Sequence, residues 1–430
     1  MAKKIPFMKA LWLILVTAAL TVTAVLVAIN LTPAEEKIRW RIEHDHALDS
    51  PQFRHEIGAL LGPPFIDGND VVSLQNGDEI FPAMLAAIRS ARSTITFETY
   101  IYWSGDIGNE FAAALAERAR RGVKVHLLLD WVGSLKMDDQ MVARMVAAGV
   151  QVRKFHPPHW SHLGRMNNRT HRKLLVIDGH TGFTGGVGIA PHWLGHAQDA
   201  AHWRDSHYKI TGPVVTQLQA VFLENWIKVT GKVLLGPTYF PTLKAMGGSP
   251  AQMFSSSPTG GSESMQLMYL MAITASTRSI DLSAAYFVPD SLMTEAFLAA
   301  MQRGVRLRII VPGEHIDSDT VRQASRARWG PLLAHGAVIA EFTPTMFHCK
   351  AMIVDGLLVS VGSTNFDNRS FRLNDEATLN VLDAKFASQQ TAVFERDLGQ
   401  ARRVTHAEWQ ARPWHEKLLE RLASLIGGQL

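Results

Sequence analysis

Two short stretches of this 430-residue chain carry the same functional groups at the same spacing: His171-Arg172-Lys173 with Asp178, and His348-Cys349-Lys350 with Asp355. The copies are in register, since 348 − 171, 350 − 173 and 355 − 178 each give 177. Small-residue turns follow at one offset, Gly185-Gly186 and Gly362-Ser363. In a strand, residues two apart share a face, so each His projects beside its Lys. The Asp lies at an odd offset, facing away or past the strand end, and Asp178 and Asp355 are therefore read as structural. Imidazole titrates near neutrality, so one of a facing pair can be a neutral nucleophile while the other is a protonated acid. Displacement at phosphorus needs that division: attack on one side, a proton for the leaving oxygen on the other. Lys173 and Lys350 can neutralise the non-bridging oxygens, a task often given to Mg²⁺, so no metal and no other cofactor is expected. A lone histidine among 18 would be unremarkable core or surface; a pair in register inside a repeat points to a site.

The elements that must position these groups repeat as well. STITFETYIY (93–102) reads as a strand, EFAAALAERARRG (110–122) as a helix with Phe111, Leu115 and Ala119 on one face, and VKVHLLLD (123–130) as a second strand. RSIDLSAAYFV (278–288), TEAFLAAMQRG (294–304) and VRLRIIV (305–311) follow the same order. Strands alternating with helices imply βαβ units. The expected fold is α/β: two duplicated halves around a pseudo-two-fold axis, each a mixed, mainly parallel sheet flanked by helices. The boundaries read as 1–34 for an N-terminal segment, 35–235 for the first half, 236–264 for a Gly/Pro/Ser-rich linker and 265–430 for the second half with C-terminal helices. The last helix, KLLERLASLI (417–426), is amphipathic and reads as packing against the body.

Between Ala10 and Ala34 there is no charged residue. About 20 apolar helical residues span a bilayer core, and a cleaved signal peptide has a shorter apolar run. The segment therefore reads as one membrane-spanning anchor. Lys3, Lys4 and Lys9 precede it and mixed charges follow, which predicts a cytoplasmic N-terminus and a body on the outer side of the cell membrane. A net charge of +4 suits an anionic partner without identifying one. Cys349 is the only cysteine, excluding internal disulfides and thiolate zinc sites. HPPHWSH (156–162) lacks interspersed carboxylates and reads as a loop near the site mouth, where Trp160, Arg165 and Arg169 could meet a lipid surface.

The stretches ETYIY, NNRTHRKLLVIDG, HWRDSHYKITGPVV, AAYFVPD, PTMFHCKAMIVDG and VGSTNFDNRSFRLNDE resemble the phospholipase D superfamily, and within it the bacterial cardiolipin synthases, over roughly residues 70 to 425. The resemblance implies a phosphatidyltransferase that joins two phosphatidylglycerol molecules into cardiolipin through a phosphohistidine and releases glycerol. His171 would be the nucleophile and His348 the general acid. An acidic residue about thirty positions after each histidine would orient it, which points to Asp205 and Glu376. Asn365 would hold phosphate with the lysines, near Ser363 and Gly186, and Tyr286 and Asp290 would contact substrate. The first copy reads Gly185-Gly186-Val187-Gly188 where the second has Gly362-Ser363-Thr364-Asn365, so the phosphate site is asymmetric and the histidine roles could be exchanged. Hydrolysis of phospholipids, a nuclease and a non-catalytic lipid-binding scaffold are the rival readings. The implied partners are anionic phospholipids and the membrane. Without a strongly basic, aromatic-interleaved stripe, nucleic acid is not expected.

Overall fold

The computed structural model describes residues 7–31, 38, 42–43, 46–158, 167–258 and 264–425. Its first helix, Phe7–Leu31, contains a 21-residue stretch, Met8–Ala28, long and apolar enough to cross a membrane and unburied by the rest of the chain.

Strands of the first half are β1 (Ile66–Gln75), β2 (Thr94–Thr99), β3 (Lys124–Asp130), β4 (Gln151–Phe155), β5 (Leu174–Ile177), β6 (Thr181–Gly185) and β7 (Ser206–Thr211). Those that follow are β8 (Ser249–Ser256), β9 (Ser279–Ala284), β10 (Arg306–Pro312), β11 (Val338–Phe342), β12 (Lys350–Val354), β13 (Leu358–Gly362), β14 (Glu376–Leu382) and β15 (Ala401–Val404). They form one sheet in the order β15-β11-β10-β9-β12-β13-β14-β8-β1-β7-β6-β5-β2-β3-β4. From the central β8–β1 pair outward, β14-β13-β12-β9-β10-β11 matches β7-β6-β5-β2-β3-β4, which is the duplication expressed in space.

Among the named strands, parallel pairing is confined to β2–β3, β3–β4, β9–β10 and β10–β11. The other ladders are antiparallel, so the expected α/β halves form but a mainly parallel sheet does not. The reason is connection length. Helices link β2 to β3 and β9 to β10, whereas β5–β6 and β12–β13 are joined by tight turns, which permit only antiparallel neighbours.

Two boundaries also differ from the sequence reading. The Gly/Pro/Ser-rich segment 236–264 contains β8, which pairs with β14 and bridges to β1 across the halves. The helix Pro51–Leu61 belongs by sequence to the first half, but Phe53, Ile57 and Leu61 are buried with Met265, Met268 and Leu270 of the second. These three residues form one helical stripe that must find an apolar surface, and the chain meets the second half's core before entering β1.

Candidate active site

His171 and His348 each sit just ahead of a strand, β5 and β12, on backbone that crosses to the opposite half. His171 N donates to Asp375 O at 2.9 Å, and Asp375 N donates to Arg169 O at 2.9 Å. Related hydrogen bonds run from His348 N to Arg204 O (2.8 Å) and from Arg204 N to Met346 O (2.9 Å). Each forms a short parallel bridge, Thr170 with Asp375 and Phe347 with Arg204. The residues that follow Asp375 and Arg204 are Glu376 and Asp205.

The consequence is an exchange of carboxylates. His171 Nδ1 lies 3.0 and 3.1 Å from the two oxygens of Glu376, and His348 Nδ1 lies 2.7 Å from Asp205 Oδ2. The sequence reading had each acid serving the histidine it follows in the chain; the fold gives each to the other half's histidine. A carboxylate accepts from Nδ1–H, so the proton is fixed there and Nε2 keeps its lone pair.

Both carboxylates are completely buried and rigidly held. Glu376 accepts from Ser370 Oγ at 2.7 Å, from Ser363 Oγ and from Asn374 Nδ2 at 3.3 Å. Asp205 accepts from Trp193 Nε1 at 2.9 Å and from Ser206 N at 2.8 Å. Ser363 and Gly186, expected beside phosphate, support these acids instead. The Ser363 hydroxyl is spent on Glu376, and a Cβ at Gly186 would stand 2.2 Å from Asp205 Oδ1. Gly186 is therefore glycine because Asp205 lies against its Cα.

The imidazoles share one cavity of about 340 Å³, lined also by Lys173, Asn365, Tyr100, Trp193, Trp203 and Tyr286. A larger cavity of about 510 Å³, lined by Leu61, Gln217, Glu224 and Lys228, includes neither histidine. Asn365 is buried at the shared cavity, and its Oδ1 has no hydrogen-bond partner among the described residues. Its counterpart 177 positions earlier is Gly188, where a Cβ would approach the Trp193 ring at 3.1 Å and Ile101 at 2.9 Å. An indole thus occupies on one side the space an amide uses on the other.

Burial dominates the electrostatics. It pushes His171 down to about 4 and also lowers His348, with Lys350 adding to the effect there. Lys173 is pushed down to about 7 by burial, and Lys350 is lowered for the same reason. Burial alone would raise Asp205 and Glu376, but the partner histidine, the nearby lysine and the hydrogen-bond donors together outweigh it and hold both carboxyls below their usual range. Burial thus disfavours charge on both imidazoles, while each partner acid is held towards its ionised form. An entering phosphate diester brings negative charge and favours protonation of the lysines and of one imidazole. Lys350 Nζ stands 3.2 Å from His348 Nε2, and each lysine also donates to the carbonyl of its own histidine, at 2.8 Å (Lys173) and 2.7 Å (Lys350).

The motif aspartates lie apart from this chemistry. Asp178 and Asp355 occupy left-handed turns, φ 52° and 55°. Asp178 accepts from the backbone N–H groups of Arg92, Ser93 and Thr94. Asp355 accepts from those of Thr277, Arg278 and Ser279 and from the Thr277 hydroxyl. They tie the turn after β5 or β12 to the start of β2 or β9. Asp355→Ala is expected to cost at least about 2 kcal/mol by stranding these donors, read as a lower Tm in detergent, while folded enzyme keeps its turnover. Lost turnover at unchanged Tm would make Asp355 a participant in the reaction.

Several site residues escaped sequence reasoning. Tyr100, Trp203, Asp367, Arg369 and Asn374 line the cavity and sit inside stretches already singled out, but nothing in their spacing distinguishes them. Trp193 lies outside those stretches. Glu98 and Asp130 are buried acids, pushed up by burial to about 7 and about 6, that accept from the Thr170 hydroxyl and backbone beside His171. Tyr286 and Arg169 line the cavity, whereas Asp290 caps the helix Ser291–Gln302 through Met293 N. Trp160, Arg165 and most of the 156–162 histidine cluster lie outside the described residues; His156 Nδ1 contacts Asn168 O at 3.0 Å. Among the described residues no group of three or more His, Cys, Asp or Glu side chains is placed to hold a metal ion.

Residues 84–226 and 269–398 match the family model described as cardiolipin synthase, PLD-like domain, one match in each half. The chain belongs to this family. A probable cardiolipin synthase of Bacillus subtilis is 34% identical over 364 residues, covering 84% of this chain and 72% of that protein. Cardiolipin synthase A of Pseudomonas fluorescens is also 34% identical over 364 residues, covering 84% and 75%. Among solved structures, the phosphatidylserine synthase of Haemophilus influenzae superposes with a TM-score of 0.66 at 14% identity, covering 88% of this chain and all of its own. At that identity the likeness is one of fold. In this member of the cardiolipin synthase family, each matched segment supplies one histidine to a shared cavity and one buried carboxylate to the other segment's histidine.

Proposed function

We propose that the protein is a membrane-bound phosphatidyltransferase that makes cardiolipin from two phosphatidylglycerol molecules. One observation carries the reading: two imidazoles line one cavity, each with Nδ1 on a buried carboxylate, beside two lysines. The names of the related synthases supply the substrate class. His171, kept neutral by burial, attacks phosphorus through Nε2 as the bond to the headgroup glycerol breaks. His348 gives that glycerol oxygen its proton. A second phosphatidylglycerol replaces the free glycerol, and His348, now a base, removes a proton from its hydroxyl. The resulting oxygen attacks phosphorus, the phosphorus–nitrogen bond breaks, and His171 is regenerated. Lys173, Lys350 and Asn365 bind the non-bridging oxygens, whose charge is nearly constant through both displacements. Trp193 and Trp203 pack against the His348 ring, both at 5.4 Å, an apolar setting that favours a lipid alcohol over water as acceptor.

The basic residues ahead of the apolar helix support a cytoplasmic N-terminus and a catalytic body on the outer side of the membrane. The decisive assay incubates full-length enzyme with headgroup-labelled and acyl-labelled phosphatidylglycerol vesicles, with and without EDTA. Cardiolipin and free glycerol in equal amounts, unaffected by EDTA, are the expected result. Phosphatidic acid in place of cardiolipin would replace transfer by hydrolysis, and loss of turnover in EDTA would defeat the metal-free scheme.

A further inference from the structure

The last helix, Trp414–Leu425, is amphipathic with its apolar side outward. Trp414, Leu418 and Leu422 follow one another at four-residue spacing and are 76%, 49% and 53% exposed, with Leu419 beside them. A helix that merely packs, as its sequence suggests, would turn these residues inward. Here the inward side holds Ala423 and Glu420. The acids also face the protein: Glu420 pairs with Arg412 at 2.7 Å, and Glu416 approaches Arg326 at 3.6 Å. That leaves Arg421 exposed and Lys417 half-buried along the border of the apolar face.

The helix is tied to the active site. Ala423 is buried in a cluster with Val321, Val288 and Ala324, against which Tyr286 packs. Val321 and Tyr286 line the catalytic cavity. Gly133 lies against Tyr100, another residue lining the cavity, and the nearby Val132 and Leu135 are exposed apolar residues.

We infer that the outer face of Trp414–Leu425 is a second membrane contact, inserting Trp414, Leu418, Leu419 and Leu422 at the interface of an anionic bilayer and holding the cavity against the lipid surface. A bilayer fits better than a second copy of the chain. The N-terminal helix is long and apolar enough to hold the body at a membrane, the border residues are basic, and the acids are turned away. Tryptophan at one end and leucines along one face are what an interfacial helix requires. The inference deepens the lipid-transfer reading and rests on it for why the cavity should face a bilayer, but its first test does not need turnover.

Cys349 is buried, so a cysteine introduced by Leu418→Cys in the full-length chain can be labelled selectively with an environment-sensitive fluorophore. In vesicles of phosphatidylglycerol and phosphatidylethanolamine carrying doxyl-labelled lipid, this label should be quenched several-fold more than one at Lys124→Cys, an exposed position at the opposite end of the sheet's parallel strands. Equal quenching overturns the inference, as does a stable dimer that shields the label without quenching. In a second arm, Trp414→Ser, Leu418→Ser and Leu422→Ser together should lower turnover of vesicle lipid by at least about tenfold and spare that of a monomeric short-chain phosphatidylglycerol. Equal loss on both substrates overturns it. If the unaltered enzyme turns over neither lipid, the proposed reaction fails, while the quenching result still decides the helix.

Discussion

With His348 replaced by alanine, the enzyme is expected to stop half-way, holding the phosphatidyl group on His171. His348 protonates the leaving glycerol in the first displacement and activates the incoming hydroxyl in the second. A good leaving group can compensate for a missing acid, but with His171 bonded to phosphorus no imidazole remains in the cavity lining to act as the base. Turnover should fall by about 10²–10⁴, the usual contribution of general acid–base catalysis, and labelled phosphatidyl groups should remain with the protein after denaturation. His171→Ala should give no adduct, because the alternative attack by lipid alcohol on an unactivated diester forms no bond to the chain. An adduct in His171→Ala and none in His348→Ala would exchange the two roles. The asymmetric surroundings make the experiment informative: Asn365 lies on one side of the site and Trp193 where its counterpart would be.

The second large effect concerns the carboxylates. Glu376→Gln and Asp205→Asn change no volume, yet each puts an amide where an ionised acceptor holds Nδ1–H. An amide can donate to Nδ1 and so move the proton to Nε2, the atom that must attack phosphorus or take a proton. Losses of about 10³–10⁴ in turnover are expected, by analogy with the acid of a Ser-His-Asp triad. The two variants should fail differently. Glu376→Gln disables His171 and should form no adduct, whereas Asp205→Asn acts on His348 and should accumulate one. The reverse pattern would mean that each acid serves the histidine of its own half, against the 3.0 and 2.7 Å contacts.

Residue types and spacing made the halves legible. Period-two parity separated His171 and Lys173 from Asp178, and the constant offset of 177 marked the duplication. Neither argument could show the carboxylate exchange, because it depends on the Thr170–Asp375 and Phe347–Arg204 bridges, which join segments over 140 residues apart in sequence. The same limit applies to Ser363 and Gly186. The resemblance places them near phosphate, but what they touch is decided by the strand opposite. The antiparallel content was missed for a local reason: β5–β6 and β12–β13 are so short that their turns were read as part of the motif. Glu98 and Trp193 left no signal, since a buried acid and an indole acquire meaning only from the atoms facing them.

The exchange of carboxylates also bears on how such a chain can acquire activity. A ribosome that has released only the first 235 residues has produced an imidazole, His171, whose orienting acid does not yet exist, and an acid, Asp205, with no imidazole to orient. Neither can act on the lipid around it until the remaining chain docks, so reactivity switches on with assembly rather than with synthesis of the motif. Read backwards, an unduplicated ancestor built this way would have needed two identical subunits, each lending its acid to the other, and gene fusion would have made that loan permanent.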